Sequence, residues 1–565
     1  MLLSIPRARG RALDPWVGTL RKELYRYGER SSGEAHGVVL TRPHVVRLIL
    51  DLAGYDPAAR DLSAATLLEP AVGRGAFLLP VVERLLASCR RHRRDPRRLA
   101  GAILAFDVDS GHVRSSRDAV ARELRLVGLS SRDARRLAAA WVVEGDFLLA
   151  DTRRRFDFVC GNPPYVRIEQ LAAALQAEYR GRFASLFDRA DLYVAFIEKG
   201  LDLLAPGGRL SFICADRWTL NRYGAPLRRK ISSSFRVLHY IDLHRASPFE
   251  SEVIAYPAIF TIARGRQEEV RVARLETASE EECAAVARDL EGSGARHATW
   301  FEGDAPWVLS PPGHLQVLRD LERRFEPIEA DGKTSVRIGV ATGADEAFIV
   351  GDDAPIEPDR LVPLVKREDI ERGEVRDGRR RVINTFGDDG SVIDLRVYPR
   401  LRRYLETRAA LIKRRHVARK NPSSWFRTID RVYPELVPLP KLLIPDIAGS
   451  NEVVLERGRY HPHHNLYFVI SSSWDMEVLG GLLSSKVALF FVWSYAVKMR
   501  GRYLRFQAQY LRRIRVPPPG AIPEDLARDI RGAFRARDFQ RLDELALAVY
   551  GLEALPAFDF ADTRK

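Results

Sequence analysis

The chemistry in this sequence is concentrated where an apolar run, Phe156-Asp157-Phe158-Val159-Cys160, stops at Gly161-Asn162-Pro163-Pro164-Tyr165. The run reads as a buried strand. Two successive prolines cannot donate to a sheet ladder, and they hold φ near about −65°. Residues before a proline are pushed out of the helical region. The spacing therefore predicts a stiff loop at the carboxyl end of a strand, where ligands bind in open α/β sheets. The loop offers the Asn162 amide, the carbonyls of Pro163 and Pro164 that no helix consumes, and the aromatic face of Tyr165. Such a set can hold a flat, amino-bearing base for chemistry.

A second set of candidates lies upstream. Thr66 to Leu78 reads as strand, glycine turn and helix, with Gly73 and Gly75 allowing tight geometry and close approach of a ligand. A phosphate-cradling loop would end in Gly-Lys-Ser/Thr, and a dinucleotide fingerprint would carry a third glycine where Leu78 stands. A small cofactor with no required phosphate fits better. Ala102 to Asp109 is a second strand ending in acids, placed for ribose hydroxyls. A third strand at Trp141-Val142-Val143 leads to Glu144-Gly145-Asp146-Phe147, where Asp146 can accept from an adenine amino group and Phe147 can flank its ring. Taken singly, each of these acids is more ordinarily a helix cap or a solvated loop carboxylate. Thr41 is expected to cap a helix whose N-terminus can receive a carboxylate.

The elements that must position these groups alternate regularly. After the proline loop comes a helix from Asp191 to Leu204, stopped by Ala205-Pro206-Gly207-Gly208. Strands follow at Arg209–Ile213, Val237–Ile241 and Ala255–Ile262, with the loop aromatic Phe249 between the last two. Residues from about 40 to about 265 thus read as one doubly wound α/β domain. Beyond about 270 the pattern changes. Residues 276–297 are polar and helical, 336–350 read as strand, Gly-rich turn and strand, and Arg400–Arg419 as a helix dense in Arg and Lys. Trp425-Phe426-Arg427 and Lys498–Phe506 interleave bases with aromatics, a mixture suited to tracking phosphates and touching bases.

Composition bounds the rest. A chain of 565 residues exceeds what one core holds, so at least two domains are expected. The 90 Lys and Arg against 75 Asp and Glu leave a net charge of +15, which favours a polyanionic partner. No apolar window reaches the roughly 20 residues of a membrane helix, and the most apolar, Val487 to Tyr495, is about half that length. The four cysteines are scattered without CxxC spacing, which fits a reducing cytoplasm and argues against a zinc ribbon. His461, His463 and His464 lack partners at ligand spacing, so no metal is expected.

The order of parts resembles a known family. Thr41-x-Pro43, Glu69-Pro70-Ala71-x-Gly73-x-Gly75, Asp107-x-Asp109, Gly145-Asp146-Phe147 and Asn162-Pro163-Pro164-Tyr165 look like the motifs of S-adenosyl-L-methionine-dependent DNA adenine-N6 methyltransferases. With cofactor motifs first and a long domain after, the chain is similar to the γ class of restriction–modification methyltransferases. Gly339 to Gly343, Lys441 to Asp446 and Leu482 to Lys486 look like parts of that family's target-recognition domain. The resemblance implies a Rossmann-like catalytic domain over 37–268, after an arm at 1–36, and a mixed α/β recognition domain over 269–565 that binds double-stranded DNA. It implies S-adenosyl-L-methionine as methyl donor and no metal. Thr41 would touch the methionine carboxylate, and Glu69, Ala71, Gly73 and Gly75 would line the methionine and ribose region. Asp107, or Asp109 beside it, would bind the ribose hydroxyls, Asp146 the adenine amino group and Phe147 the adenine ring. Asn162 and the Pro163 carbonyl would accept from the target amino group, Pro164 would stiffen the loop, Tyr165 would stack on the flipped base, and Phe249 would pack against it. A separately encoded restriction endonuclease, or other subunits of a defence system, is an expected partner. An RNA or protein-amide methyltransferase using the same loop, or a catalytically idle DNA-binding defence subunit, stays open at this point.

Overall fold

A computed structural model describes residues 39–251, 256–289, 295–297, 300–310, 312–496 and 503–561, with side chains at 295–297 and 312 left aside. The expected N-terminal arm and the basic residues Lys498, Arg500 and Arg502 lie outside the described residues. The chain divides into two compact units, residues 1–309 and 310–565.

The first unit is built on a nine-stranded sheet. Its strands are β1 (Leu67–Glu69), β2 (Ile103–Asp107), β3 (Val142–Glu144), β4 (Phe156–Gly161), β5 (Leu204–Ala215), β6 (Phe235–Asp242), β7 (Pro257–Arg264), β8 (Val270–Arg274) and β9 (Ala295–His297). The helices used below are α1 (Pro43–Ala53), α2 (Leu78–Arg91), α3 (Ser110–Leu126), α4 (Ser131–Trp141), α5 (Ala173–Arg182), α6 (Tyr193–Asp202), α7 (Ala225–Ser234) and α8 (Glu280–Arg288). Strand order is β3-β2-β1-β4-β5-β7-β6-β8-β9. β1 to β5 are mutually parallel, and β7 runs antiparallel between β5 and β6. From β1 the chain builds outward in one direction through β2 and β3, then returns to place β4 on the other side of β1. That reversal is a topological switch point, and it lies between the carboxyl ends of β1 and β4.

Both sheet faces are covered, which is why the central strands are continuous apolar runs rather than alternating ones. Phe158 of β4 meets Tyr55 just beyond α1, with ring centroids 5.2 Å apart. The next residue, Val159, faces the other way, toward Gly200 of α6. The sheet extends past the expected boundary at 268, because β8 pairs in parallel with β6 and β9 pairs with β8. The stretch expected as helix over 276–297 is the shorter α8 followed by β9. The helix expected from Asp191 to Leu204 is shorter, Tyr193–Asp202, and Ala205-Pro206-Gly207-Gly208, expected to stop it, lie inside β5, whose irregular start shifts register against β4.

The second unit holds two four-stranded sheets. One is antiparallel: Thr334–Ile338, Leu466–Ser471, Lys441–Pro445 and Val454–Glu456. Lys441 and Glu456 face each other across it as a fully buried ion pair at 2.6 Å. The expected single basic helix over 400–419 is three short ones, Pro399–Thr407, Ala409–Lys413 and His416–Lys420, burying Leu401, Leu405, Ile412 and Ala418. Their Arg400, Arg402, Arg403, Lys413, Arg414, Arg419 and Lys420 are exposed. Met476–Ser484 and Lys486–Tyr495 are apolar because they are core helices, buried along their length. Among the described residues no single helix is long and apolar enough to cross a membrane.

Candidate active site

The loops after β1 and β4 meet at the switch point. Gly73 and Gly75 both have positive φ, 54° and 85°, which a side chain would strain. The turn is held from β2: the Gly73 amide donates to Asp107 Oδ2 at 2.7 Å, and the Val72 amide donates to the Phe106 carbonyl at 2.9 Å. Asp107 Oδ1 accepts from the Asp109 amide at 2.8 Å. The neighbouring His112 ring, 3.5 Å from Asp107 Oδ1, has its pKa raised by that carboxylate. Asp109 is a helix cap, accepting from the amides of Gly111 and His112 at the start of α3. Of the two acids, Asp107 is therefore the one built into the glycine turn. Ala71 is partly buried in the same turn and Arg74 is exposed, so the arginine does not narrow it.

Glu69, the last residue of β1, is 1% exposed, and neither of its carboxylate oxygens has a hydrogen-bond partner. Burial, with the nearby Asp107 charge, pushes its pKa well above the usual carboxylate range. A buried orphan carboxylate is costly and calls for a cationic or donor-rich partner.

Asn162 is clamped in one orientation. Its Nδ2 donates to the Val39 carbonyl at 3.0 Å and to Thr41 Oγ1 at 3.2 Å. Two acceptors on one side settle which end of the amide is nitrogen. They leave Oδ1, enclosed and without a partner, as the spare acceptor. Thr41 does not cap α1. Pro43 occupies the first helical position and drives Arg42 extended, at φ −61° and ψ 144°, so Arg42 takes the cap position. Thr41 instead bridges to Phe249, and the Arg42 and Glu250 amides donate to the Pro248 and Leu40 carbonyls.

Phe249 is 4% exposed and meets the half-buried Tyr165 ring edge-on, centroids 6.1 Å apart. Tyr193 flanks Tyr165 from another side at 6.1 Å. The Tyr165 hydroxyl is enclosed without a partner. Pro163 is buried and Pro164 partly so.

Asp146 and Phe147 follow β3. Asp146 Oδ1 accepts from the Leu148 amide at 2.8 Å, and Oδ2 accepts from the Tyr179 hydroxyl of α5 at 2.5 Å. Burial raises the Asp146 pKa. Phe147 is 2% exposed, tilted between Phe106 and Phe196. Lys199 of α6 donates to the carbonyls of Phe147 and Ala150 at 2.5 and 2.6 Å and stands 4.9 Å over the Phe147 ring. Burial lowers its pKa to about 8. Neither Tyr179 nor Lys199 is marked by a motif. The one signal for Lys199 is that Glu198-Lys199 interrupts the apolar stretch Tyr193–Leu201.

In the second unit, ligand atoms of Asp345, His463 and His464 lie within 4.8 Å of one another, the only such cluster among the described residues. The His463 ring already bonds Asp345 at 2.8 Å, and the Lys366 ammonium lies 3.4 Å from the same oxygen.

A doubly wound sheet whose glycine turn and Asn-Pro-Pro-Tyr loop meet at the switch point defines the class of α/β methyltransferases. Comparison with known proteins narrows it. Residues 121–249 match the Eco57I restriction-modification methylase family. The chain is 44% identical over 536 residues to the type II methyltransferase M.XhoI of Xanthomonas vasicola, covering 92% of this chain and 98% of that protein. It is 45% identical over 532 residues to M.PaeR7I of Pseudomonas aeruginosa, covering 92% of each. A solved structure of the type IIL restriction-modification enzyme MmeI in complex with DNA shares the fold over 96% of this chain and 75% of that one, with a TM-score of 0.59 at 14% identity. The chain therefore belongs to the type II methyltransferases of restriction–modification systems, and it is a DNA methyltransferase.

Proposed function

We propose that the protein transfers the methyl group of S-adenosylmethionine to the exocyclic N6 of an adenine flipped out of double-stranded DNA. The observation that carries this reading is Asn162: its nitrogen is committed to Val39 and Thr41, and its oxygen is a buried acceptor with nothing to accept from. An amino group is the matching donor.

The residues at the switch point fit the donor molecule. Its α-ammonium would answer the two orphan oxygens of Glu69, and Asp107 is placed for a ribose. Asp146 would bind the adenine amino group, giving up its bond to the Tyr179 hydroxyl, with Phe147 beside the ring. Ala71, Gly73 and Gly75 would admit the close approach, and Thr41 would reach the carboxylate end. When bound, S-adenosylmethionine supplies an electrophilic methyl group on a sulfonium.

The chain's own contribution is positioning. The lone pair of an adenine amino nitrogen is delocalised into the ring, so the nitrogen is a poor nucleophile. Asn162 Oδ1 and the Pro163 carbonyl would accept hydrogen bonds from its two N–H groups and draw them out of the ring plane, which localises the lone pair; once the methyl has moved, the cationic nitrogen sheds one proton to solvent. Fixed dipoles stabilise the positive charge that develops on nitrogen. Stiffness from Pro163 and Pro164 means little reorganisation is needed. Flipping costs a few kcal/mol of unstacking. Tyr165, backed by Phe249 and Tyr193, would return about 1–3 kcal/mol by stacking. The exposed basic face of the three short helices in the second unit suits phosphate contacts. Membership of the family supports a role in protecting host DNA against a separately encoded endonuclease.

Incubation with radiolabelled S-adenosylmethionine and mixed-sequence duplex, then nucleoside analysis, should yield N6-methyladenine. Label on cytosine, RNA or protein alone overturns the assignment.

A further inference from the structure

One polar patch in the first unit has no part in this chemistry. It lies on one face of the central sheet. Residues paired across neighbouring strands point to the same side. One row runs Phe158 (β4), Arg209 (β5), Ala263 (β7) and Arg236 (β6). The next runs Ser211, Thr261, His239 and Arg271 (β8). Arg209 and Arg236 are therefore two strand spacings apart, about 10 Å, with only the small Ala263 between them. Arg60 stands over Phe158 at 5.1 Å and joins the same group.

The charges are not neutralised locally. Arg236 pairs with the exposed Glu268 at 2.6 Å. Arg60, Arg209 and Arg271 have no carboxylate within ion-pairing distance among the described residues. Arg209 is partly buried, and its pKa is lowered by burial and by the charges of Arg236, Arg60 and Arg271. A Cβ on Gly54, at the end of α1, would stand 3.2 Å from Arg209 Nη1, so the guanidinium lies closely against that turn. His239 is 8% exposed with Nδ1 unpartnered. Burial, then Arg209 and Arg271, push its pKa down to about 4. Guanidiniums gathered against mutual repulsion, above a buried unpartnered ring nitrogen, are an arrangement that an anion stabilises.

We propose that Arg60, Arg209, Arg236 and Arg271, with His239 beneath them, form a binding site for a small phosphate anion, separate from the methyl-transfer site. Planar forks on several sides match a multiply charged oxyanion better than chloride. A backbone phosphate of DNA has the same chemistry, but the position disfavours it. Phe158, beside Arg209, precedes Gly161 by three residues, about 10 Å of strand, and the catalytic loop lies at the opposite, carboxyl end.

The test is calorimetric titration of the full chain with inorganic phosphate, at ionic strength held with chloride. A short duplex is titrated in parallel, against the Arg209→Gln/Arg271→Gln double variant. The parent should bind phosphate, and the variant at least tenfold more weakly with unchanged duplex affinity and methyl transfer. In chloride buffer the variant should melt no lower than the parent, because repulsion is relieved. Phosphate should raise the titration midpoint of His239, followed by the NMR signal that His239→Gln removes. Phosphate binding no tighter than chloride, or equally tight in the variant, overturns the site. A lower melting temperature in chloride would reassign the arginines to structure, and a parallel loss of duplex affinity would reassign them to DNA.

Discussion

Replacing Asn162 by alanine removes an enclosed, unpartnered amide acceptor at the catalytic loop while leaving its backbone dictated by Pro163 and Pro164. The structure gives the size of the effect in two parts. The amide is oriented by two hydrogen bonds, to Val39 and Thr41, at about 1 kcal/mol each. Deleting a preorganised group that acts on the developing charge typically costs about 100- to 1000-fold in rate, roughly 3–4 kcal/mol. Asn162→Ala should therefore lower the single-turnover methylation rate by about 100- to 1000-fold, with S-adenosylmethionine affinity within a few-fold of the parent. Thr41→Val removes only one of the two orienting bonds, so the rate should fall about fivefold, the equivalent of one net hydrogen bond. The assay is rapid-quench single turnover with enzyme in excess over duplex and saturating cofactor, which isolates chemistry from product release. An Asn162→Ala rate within threefold of the parent, at unchanged cofactor affinity, would refute the amide's role. A Thr41→Val defect equal to that of Asn162→Ala would show that Thr41 does more than orient.

Four further outcomes are expected. Tyr165→Phe should retain activity, because the Tyr165 hydroxyl has no partner, whereas Tyr165→Ala should lose about 1–3 kcal/mol of base stacking, read as weaker 2-aminopurine fluorescence enhancement on flipping. Glu69 has a raised pKa, so the folded chain holds a proton that the unfolded chain has shed. Stability without cofactor should then fall as pH rises above the ordinary value of 4.5; Glu69→Gln should flatten that slope in thermal melts while weakening S-adenosylmethionine binding at least tenfold by calorimetry. Lys199→Met removes the bonds that hold the carbonyls of Phe147 and Ala150, and should raise the KM for cofactor severalfold with kcat little changed. Gly200→Ala would put a Cβ 2.7 Å from Leu210 Cδ1, an overpacking of about 1–3 kcal/mol seen as a lower melting temperature.

The amino-acid sequence by itself determined the local chemistry: a proline-stiffened loop after an apolar strand, a positive-φ glycine turn after another, and acids at strand ends. These are legible because backbone conformation and strand periodicity are set by neighbours in the chain. The alternation of strand and helix likewise carried the doubly wound fold. Tertiary structure alone decided which groups meet. Thr41 reaches Asn162 from 121 residues away, and it is held there by its pairing with Phe249, from a loop more than 200 residues further on. Phe249, read from sequence as a loop aromatic, is a buried wall behind Tyr165, because the 248–250 segment is stitched to the strand entering α1. Asp107 and Asp109, two residues apart, part company because one turns toward the glycine loop and the other caps α3. The arginine and histidine patch is equally invisible along the chain. Its members come from separate strands, and only sheet register puts Arg209, Arg236 and Arg271 on one face.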